Sequence, residues 1–202
     1  MSRKIGLSRT SERTRQAVID AAIRCLALEG YHRATSNRIA REAGLSWGVI
    51  QYHFGDRASI YRAVLDSIID AYVVELDPLA LQVTGQHPED RLVMLAERAW
   101  VLLNQPAYLA TMELLLNLTR DPEMDLSIKR YVRCWSDRIA VLWQAIFPEF
   151  PDGHAGSAAA RQIFFAAMRG FVENRLIGQW SKRVSPEASL RALAKACVVL
   201  MH

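Results

Sequence analysis

The stretch ATSNRIAREAGLSWGVIQYHF, residues 34–54, determines how the rest of this chain is interpreted. Apolar residues recur in its first half with the period of an α-helix, and Gly44 then supplies the left-handed backbone that ends a helix sharply. Ser46 is a favourable N-cap for a second helix with apolar residues of its own. The stretch therefore predicts a helix-turn-helix, whose second helix enters the DNA major groove when the motif binds DNA.

The turn pattern alone leaves two interpretations open. Helical hairpins with a glycine turn also occur in proteins that never contact DNA, and Trp47 and His53 would then be core residues. The charge distribution favours DNA binding, because residues 1–62 carry 11 Lys/Arg and 5 Asp/Glu, whereas residues 63–202 carry 14 and 16. A basic first third is expected where one end of a protein meets a polyanion, although such an asymmetry also arises by chance.

The composition indicates a folded, soluble protein. The chain has 202 residues, of which 51% are hydrophobic, and its three cysteines (Cys25, Cys134 and Cys197) form no C-x-x-C pair. We expect free thiols in a reducing cytoplasm. The first residues are basic and polar, unlike a signal peptide, and the apolar run at 99–119 is interrupted by Pro106, which favours two buried helices over a membrane span.

Helical periodicity and breaker residues predict an all-α fold without strands. We expect a flexible basic arm at residues 1–10, a helix-turn-helix head with a linking fourth helix at 11–75 (the motif itself at 34–53), and a C-terminal helical domain at 76–202. Besides the two short helices of the motif, the predicted helices are 11–29, 56–75, 88–104, 106–119, 121–147, 157–180 and 185–202, with Asp56 and Asp121 as N-caps.

DNA recognition requires side chains that bind phosphates and side chains that reach base edges. Thr35 and Ser36 open the first helix of the motif, where hydroxyls and free N–H groups bind phosphate, and Asn37 has the donor and acceptor that match adenine. On the second helix Ile50 should point inward, whereas its neighbours face DNA. The expected DNA contacts are Thr35, Ser36, Asn37, Ser46, Trp47, Gly48, Val49, Gln51, Tyr52, His53 and Arg57.

Four short motifs follow one another in this part of the chain: GY at 30–31, IAREAGLS at 39–46, HF at 53–54 and DR at 56–57. Their succession within residues 14–64 resembles the DNA-binding head of the TetR family of one-component transcriptional regulators. The resemblance implies that hydroxyl residues lead into helix 2, that three residues face bases and that two contact phosphates. The hydroxyl residues are Thr35 and Ser36. The residues that would face bases are Asn37, Trp47 and Val49, and those that would contact phosphates are His53 and Arg57.

Three residues depart from the family pattern. Ala34 stands where many members have threonine, Trp47 replaces a common lysine, and Gln51 replaces a nearly standard phosphate-binding tyrosine. The recognition helix should therefore make fewer phosphate contacts than in relatives. DNA binding should then depend more on Asn37, Tyr52, His53 and Arg57.

The resemblance also implies dimerisation through the last two helices. The candidate interface residues are Ile163, Ala167, Gly170 and Asn174 on one helix and Leu190, Leu193 and Cys197 on the next. Both stripes could instead be intramolecular core. We favour a homodimer, because a recognition helix needs a partner to reach two half-sites one helical turn apart.

An effector pocket in the C-terminal domain is implied as well, and a small apolar or aromatic compound would suit it. The candidate lining residues are Trp100, Asn104, Tyr108, Met112, Trp143, Phe147, Phe165 and Met168. Ordinary helical cores contain the same residue types, so each of these candidates could instead be a core residue.

The preferred hypothesis is a ligand-responsive regulator, a repressor that binds a palindromic operator as a homodimer and leaves it when an effector tilts the linking helix. An all-α enzyme is the first alternative, since Glu29-x-x-His32 superficially resembles half of a di-iron motif. It occurs once and Gly30 interrupts it, so we expect neither metal nor cofactor. The second alternative is a helical interaction module that does not bind DNA.

Overall fold

The computed structural model describes residues 2–83, 85–119, 122–151, 153–178 and 184–202. These ranges contain helices and turns without a β-strand, which confirms the all-α prediction. The helices are α1 Ser2–Glu29, α2 Ser36–Ala43, α3 Trp47–Phe54, α4 Arg57–Leu76, α5 Leu79–Gln82, α6 Pro88–Leu103, α7 Pro106–Leu118, α8 Pro122–Ile146, α9 Ala155–Leu176 and α10 Pro186–Met201.

Most helix starts lie where the local chemistry of the sequence predicts them. Asp56 Oδ1 accepts a hydrogen bond from the Ser59 N–H at 2.7 Å and caps α4, and Ser185 Oγ caps α10. Helix α9 begins two residues before the predicted start at 157, because the His154 side chain acts as its N-cap. The predicted cap Asp121 lies outside the described residues. Helix α9 ends at Leu176, before its predicted end at 180, because Ile177 is its C-cap and the chain turns there.

Two further parts of the structure differ from the helix prediction. Residues 2–10 continue α1, where a flexible arm was expected; this segment contains no proline to stop a helix, although Gly6 is a weak helix former. A four-residue helix, α5, occupies part of the loop expected between residues 77 and 88. Leu79 in its first turn is buried, so tertiary packing orders a segment that has weak helical signals of its own.

The first compact unit comprises the described residues of Met1–Ala71 and Pro106–Cys134. Within it α1 packs against α2, α3 and α7, and α2 packs against α3. The division differs from the contiguous boundary expected at residues 75 and 76, because the packing of α7 on α1 places residues 106–134 with the helix-turn-helix. The core of the motif comes from Ile39, Ile50 and Phe54, which are all buried.

The second compact unit comprises the described residues of Tyr72–Gln105 and Trp135–His202. Helices α6, α9 and α10 pack against one another. Arg91 on α6 forms a salt bridge with Glu149, donates to the Ile146 carbonyl at 2.6 Å and lies 5.1 Å above the Phe147 ring. This cluster joins the start of α6 to the end of α8 inside the unit.

The apolar run at residues 99–119 is divided between α6 and α7, as its interruption at Pro106 predicts. Asn104 follows the end of α6, and its Nδ2 donates to the Trp100 carbonyl at 2.6 Å. Among the described helices, none combines the length and the hydrophobicity that crossing a bilayer demands.

Candidate nucleic-acid interface

The helix-turn-helix is built by two side-chain caps and one left-handed glycine. Thr35 Oγ1 accepts from the Arg38 N–H at 3.3 Å, and Ser46 Oγ accepts from the Val49 N–H at 3.4 Å. Between the helices Gly44 has φ +67° and ψ +28°, a conformation that costs other residues more than glycine. These interactions confirm the predicted turn, and they show that two of the expected DNA contacts, Thr35 and Ser46, also cap helices.

The expected DNA-contact residues all lie at the surface, either fully or in part. Tyr52 is 86% exposed and Val49 is 38% exposed, whereas Ile50 between them is completely buried. The exposed members are Thr35, Asn37, Ser46, Gly48, Val49, Gln51 and Tyr52, and the half-buried members are Ser36, Trp47, His53 and Arg57. The start of α2 and the outer side of α3 therefore both expose candidate contacts within the first unit.

Arg15 on α1 holds the end of α3, a contact that the sequence prediction missed. Its Nη1 donates to the His53 carbonyl at 2.8 Å, and its guanidinium lies 4.5 Å from the Phe54 ring centroid. A cation at a helix C-terminus meets unpaired carbonyls and the negative end of the helix dipole. The sequence could have indicated this contact through helical spacing. Arg15 lies three and four residues before Val18 and Ile19, which places it on the buried side of α1.

Arg57 is engaged with two tyrosines at the start of α4. Its Nη2 donates to the Tyr31 hydroxyl at 3.3 Å, and the guanidinium lies 5.2 Å and 5.5 Å from the rings of Tyr31 and Tyr61. The Tyr61 hydroxyl donates to the Ala34 carbonyl at 2.9 Å, and burial raises the pKa of Tyr61 to about 12. These contacts restrict the orientation of Arg57, the residue expected to contact a phosphate.

Several cations of the head are already paired with carboxylates. Arg38 binds Glu29 at 2.7 Å and Glu42 at 3.0 Å, and Arg24 binds Glu42 at 3.0 Å. Hydrogen bonds from Arg24 and Arg38 lower the pKa of Glu42. Because α3 itself contains no lysine or arginine, positive charge for DNA must come from other elements of the head.

The ion pair of Glu29 also bears on the enzyme alternative. Its carboxylate is bound by Arg38, and His32 is exposed beside the Tyr31 ring at 5.4 Å. Within the described residues, no cluster of three or more His, Cys, Asp or Glu side chains has a metal-binding arrangement. The geometry therefore offers no support for a di-iron site built on Glu29.

The eight candidate pocket residues are divided between the two compact units. Tyr108 and Met112 belong to the first compact unit, and the other six belong to the second. In the second unit Trp143 lies 4.8 Å from Phe147 and 6.5 Å from Phe165, measured between ring centroids. Tyr108, Trp143, Phe147 and Met168 are buried, whereas Trp100, Asn104, Met112 and Phe165 are partly exposed.

Two observations from the second unit bear on ligand binding. A cavity of about 80 Å³ is lined by Trp143, Gln144, His154 and Arg161 among others, which is below the several hundred Å³ typical of sites for drug-sized ligands. Asn104 Oδ1 is buried and accepts no hydrogen bond from the described residues. An acceptor of this kind can receive a donor from a ligand or from water.

Part of the expected dimer interface is wrong. Leu190, Leu193 and Cys197 are buried inside the protomer, where α10 packs against α6 and α9. Cys197 Sγ lies 3.7 Å from the Ala160 carbonyl oxygen, and burial raises its pKa to about 11. Periodicity identified an apolar face of α10 correctly but could not tell which surface it contacts.

The other half of that interface remains accessible. On α9, Ile163 is 46% exposed, Asn174 is exposed, and Ala167 and Gly170 are half-buried. On α10, the exposed residues include Ala188, Ala192, Ala196, Val199 and Leu200, together with the charged Glu187, Arg191 and Lys195.

The fold and this surface define a class: an all-α protein whose first unit carries a capped helix-turn-helix. The family profile described as "Bacterial regulatory proteins, tetR family" matches residues 18–64. This segment contains α2, α3 and most of the helices on either side of them. Residues 18–64 are therefore similar to the DNA-binding segment of TetR-family regulators, as the motifs predict.

Curated relatives match the same part of the chain. The HTH-type transcriptional regulator HbdR of Aromatoleum sp. (strain CIB) is 37% identical over 82 residues, 40% of this chain and 34% of HbdR. The HTH-type transcriptional repressor AcnR of Corynebacterium glutamicum is 39% identical over 51 residues, 25% of this chain and 27% of AcnR. The matches thus span about a third or less of each relative.

Solved structures resemble nearly the whole chain. A TetR-family regulator from Mesorhizobium loti has a TM-score of 0.71 at 18% identity and covers 95% of this chain and 96% of its own. FadR of Bacillus subtilis, solved in complex with stearoyl-CoA, has a TM-score of 0.63 at 18% identity and covers 92% and 96%. At these identities the likeness concerns the fold.

Proposed function

We propose that this protein is a DNA-binding transcriptional regulator that acts in the cytoplasm as a repressor. The observation that carries the proposal is the separation of roles in the motif. Ile39, Ile50 and Phe54 hold the two helices from inside, while Asn37, Gln51 and other polar or aromatic residues point to solvent. Amides and hydroxyls exposed on a helix of this kind match base edges and phosphates.

The proposed regulator works as a homodimer on a palindromic operator. An eight-residue recognition helix contacts one half-site, and a second copy is needed for the next half-site about one helical turn away. The partly exposed residues of α9 and the small residues on the outer face of α10 support this assembly. Ile163, Gly170, Ala192 and Val199 are its expected centre, and they replace the buried residues of α10 named above.

A small molecule bound in the C-terminal part is proposed to release the operator by tilting α4, which follows the recognition helix directly. The likeness in fold to FadR with stearoyl-CoA supports an effector with a large apolar portion. The free acceptor of Asn104 supports a polar group on that effector. Partly exposed Trp100 and Phe165 remain candidate contacts for its apolar part.

Fluorescence anisotropy with labelled DNA from the upstream region of the gene tests the proposal, at low salt and with unlabelled unrelated DNA as competitor. We expect specific binding by the native protein and its loss in the double variant Asn37→Ala with Gln51→Ala. Gln105→Ala removes an exposed amide outside the motif and should bind like the native protein. Absence of specific binding by a folded native protein would favour the interaction-module alternative.

A further inference from the structure

Glu113 on α7 contacts the backbone immediately before the helix-turn-helix. Its Oε2 accepts a hydrogen bond from the Tyr31 N–H at 2.8 Å, across 82 positions of the chain. Gly30 beside it has φ +80°, and a Cβ at this position would lie 3.4 Å from the same carboxylate oxygen. Glycine thus gives the chain the left-handed turn that brings the Tyr31 amide to the carboxylate, and a Cβ would be in ordinary contact with that oxygen.

Helix stability alone does not explain a carboxylate at this place. The contact lies at the C-terminal end of α1, where the helix dipole disfavours negative charge. Asn117 Nδ2 donates to the Glu113 carbonyl at 2.8 Å and lies 3.5 Å from Oε2, so one further dipole partly offsets the charge. What the carboxylate specifically contributes is the hydrogen bond that fixes the Tyr31 backbone.

Tyr31 connects that hold to the candidate DNA surface. Its hydroxyl accepts from Arg57, whose guanidinium also lies over its ring. The rings of Tyr31 and Tyr61 are 5.6 Å apart, and Tyr61 binds the Ala34 carbonyl at the far end of the same short loop. The segment between α1 and α2 is thus held at both ends. Arg57 contacts Tyr31 and Tyr61, the two tyrosines that hold this segment. All of these residues belong to the first compact unit.

We propose that Glu113 is a positioning residue for DNA binding. By holding the Tyr31 backbone it keeps the ring beneath Arg57 and directs the guanidinium toward a phosphate of the operator. The proposal rests on the proposed DNA-binding function. The proposal also connects two candidate effector-binding residues to the DNA surface, because Tyr108 and Met112 precede Glu113 on α7. A displacement of α7 would then change the orientation of Arg57.

A double-mutant cycle in operator binding tests this role. Glu113→Ala should weaken DNA binding about tenfold, because it removes a hydrogen bond to a charged acceptor. Glu113→Gln should keep most of the affinity, since its amide oxygen can accept from the same N–H. Added to Arg57→Ala, the Glu113→Ala change should cost almost nothing, because both act through the same phosphate contact. Glu97→Ala, which removes an exposed carboxylate on α6, is the control.

The outcomes separate this inference from the function on which it rests. If the native protein binds operator and Glu113→Ala binds equally well, the positioning role is wrong. Additive losses in the cycle, or failure of Glu113→Gln to restore affinity, would point to a general structural role and also overturn it. If Glu113→Ala does not fold, Glu113→Asp takes its place, with a side chain too short to reach Tyr31 and the same expected loss. A folded native protein without operator binding refutes the proposed function itself.

Discussion

Gly156 on α9 lies against the backbone of Leu200 on α10, and its replacement tests the packing of the second unit. A Cβ at this position would overlap the carbonyl oxygen of Leu200 and lie 3.3 Å from both the Leu200 carbonyl carbon and His154 Cε1. The Leu200 atoms belong to the backbone and cannot rotate away. The change Gly156→Ala therefore forces the two helices apart.

The expected loss of stability follows from two opposing terms. Overpacking a well-filled site costs about 1–3 kcal/mol, and contact with backbone places this site at the upper end. Alanine recovers up to about 1 kcal/mol over glycine in a helix interior and less in the first turn, where Gly156 lies. The net destabilisation is about 2 kcal/mol, or about 4–8 °C in Tm for a chain of this length.

Gly48 in the first turn of α3, outside the proposed dimer interface, is the control. A Cβ there would meet only Ser46 Oγ, at an ordinary contact distance of 3.9 Å, so Gly48→Ala should not lower the stability and should raise it by up to about 1 kcal/mol through helix propensity. Thermal unfolding followed by circular dichroism at one protein concentration compares the variants, since dimerisation makes Tm depend on concentration. A Tm for Gly156→Ala equal to or above that of the native protein would show that the described approach of α9 and α10 is incorrect.

Three further predictions follow from single contacts. Arg15→Ala should weaken operator binding about tenfold by loosening the end of α3. The control Arg13→Ala, at an exposed position, should lose less affinity and mainly reduce the salt dependence of binding. Anisotropy titrations at two salt concentrations distinguish the two variants, and equal losses of affinity would contradict the positioning of α3 by Arg15. Native-state alkylation followed by mass spectrometry should modify half-buried Cys134 before buried Cys25 and Cys197, because burial raises the pKa of both buried thiols and the thiolate is the reactive form; early labelling of Cys197 would contradict its place in the core. Tyr61→Phe should lower the free energy of unfolding by about 1 kcal/mol through loss of the bond to the Ala34 carbonyl. Since the folded pKa of Tyr61 is raised to about 12, its contribution is complete below about pH 10, the pKa of an unfolded tyrosine, and declines as the pH rises toward 12; urea titrations at pH 8 and pH 11 should therefore differ less for Tyr61→Phe than for the native protein.

The features that the sequence predicted correctly act within about one helical turn. Gly44, Ser46, Asp56 and Pro88 each determine a helix boundary through neighbouring backbone groups, so their effect is visible in a short window. The predicted start of α1 at Ser11 differs from the observed start at Ser2 for a related reason. No residue before Ser11 stops a helix, and the basic, polar composition of this segment was interpreted as disorder.

Contacts between distant residues could not be predicted in the same way. The apolar stripe of Leu190, Leu193 and Cys197 was recognised, but periodicity does not distinguish a face buried in the protomer from one that awaits a partner. Arg15 contacts the motif across 38 positions of the chain, and Glu113 contacts the segment before the motif across 82 positions. Their roles depend on which helices pack together, which no local pattern reveals. The candidate pocket stays a prediction for the same reason, since aromatic residues occur throughout a helical core.

The architecture of α3 also has an evolutionary consequence. Its start is capped by Ser46, its end by Gly55, and its inner side is held by Ile50 and Phe54. Of these residues only Ser46 is also an expected DNA contact, and Val49, Gln51 and Tyr52 are not among the residues that cap or hold the helix. Substitutions at exposed positions without structural partners typically change stability by no more than about 0.5 kcal/mol. A lineage carrying this motif can therefore drift from one operator sequence to another, by changes at Val49, Gln51 or Tyr52, while the fold that presents them is conserved.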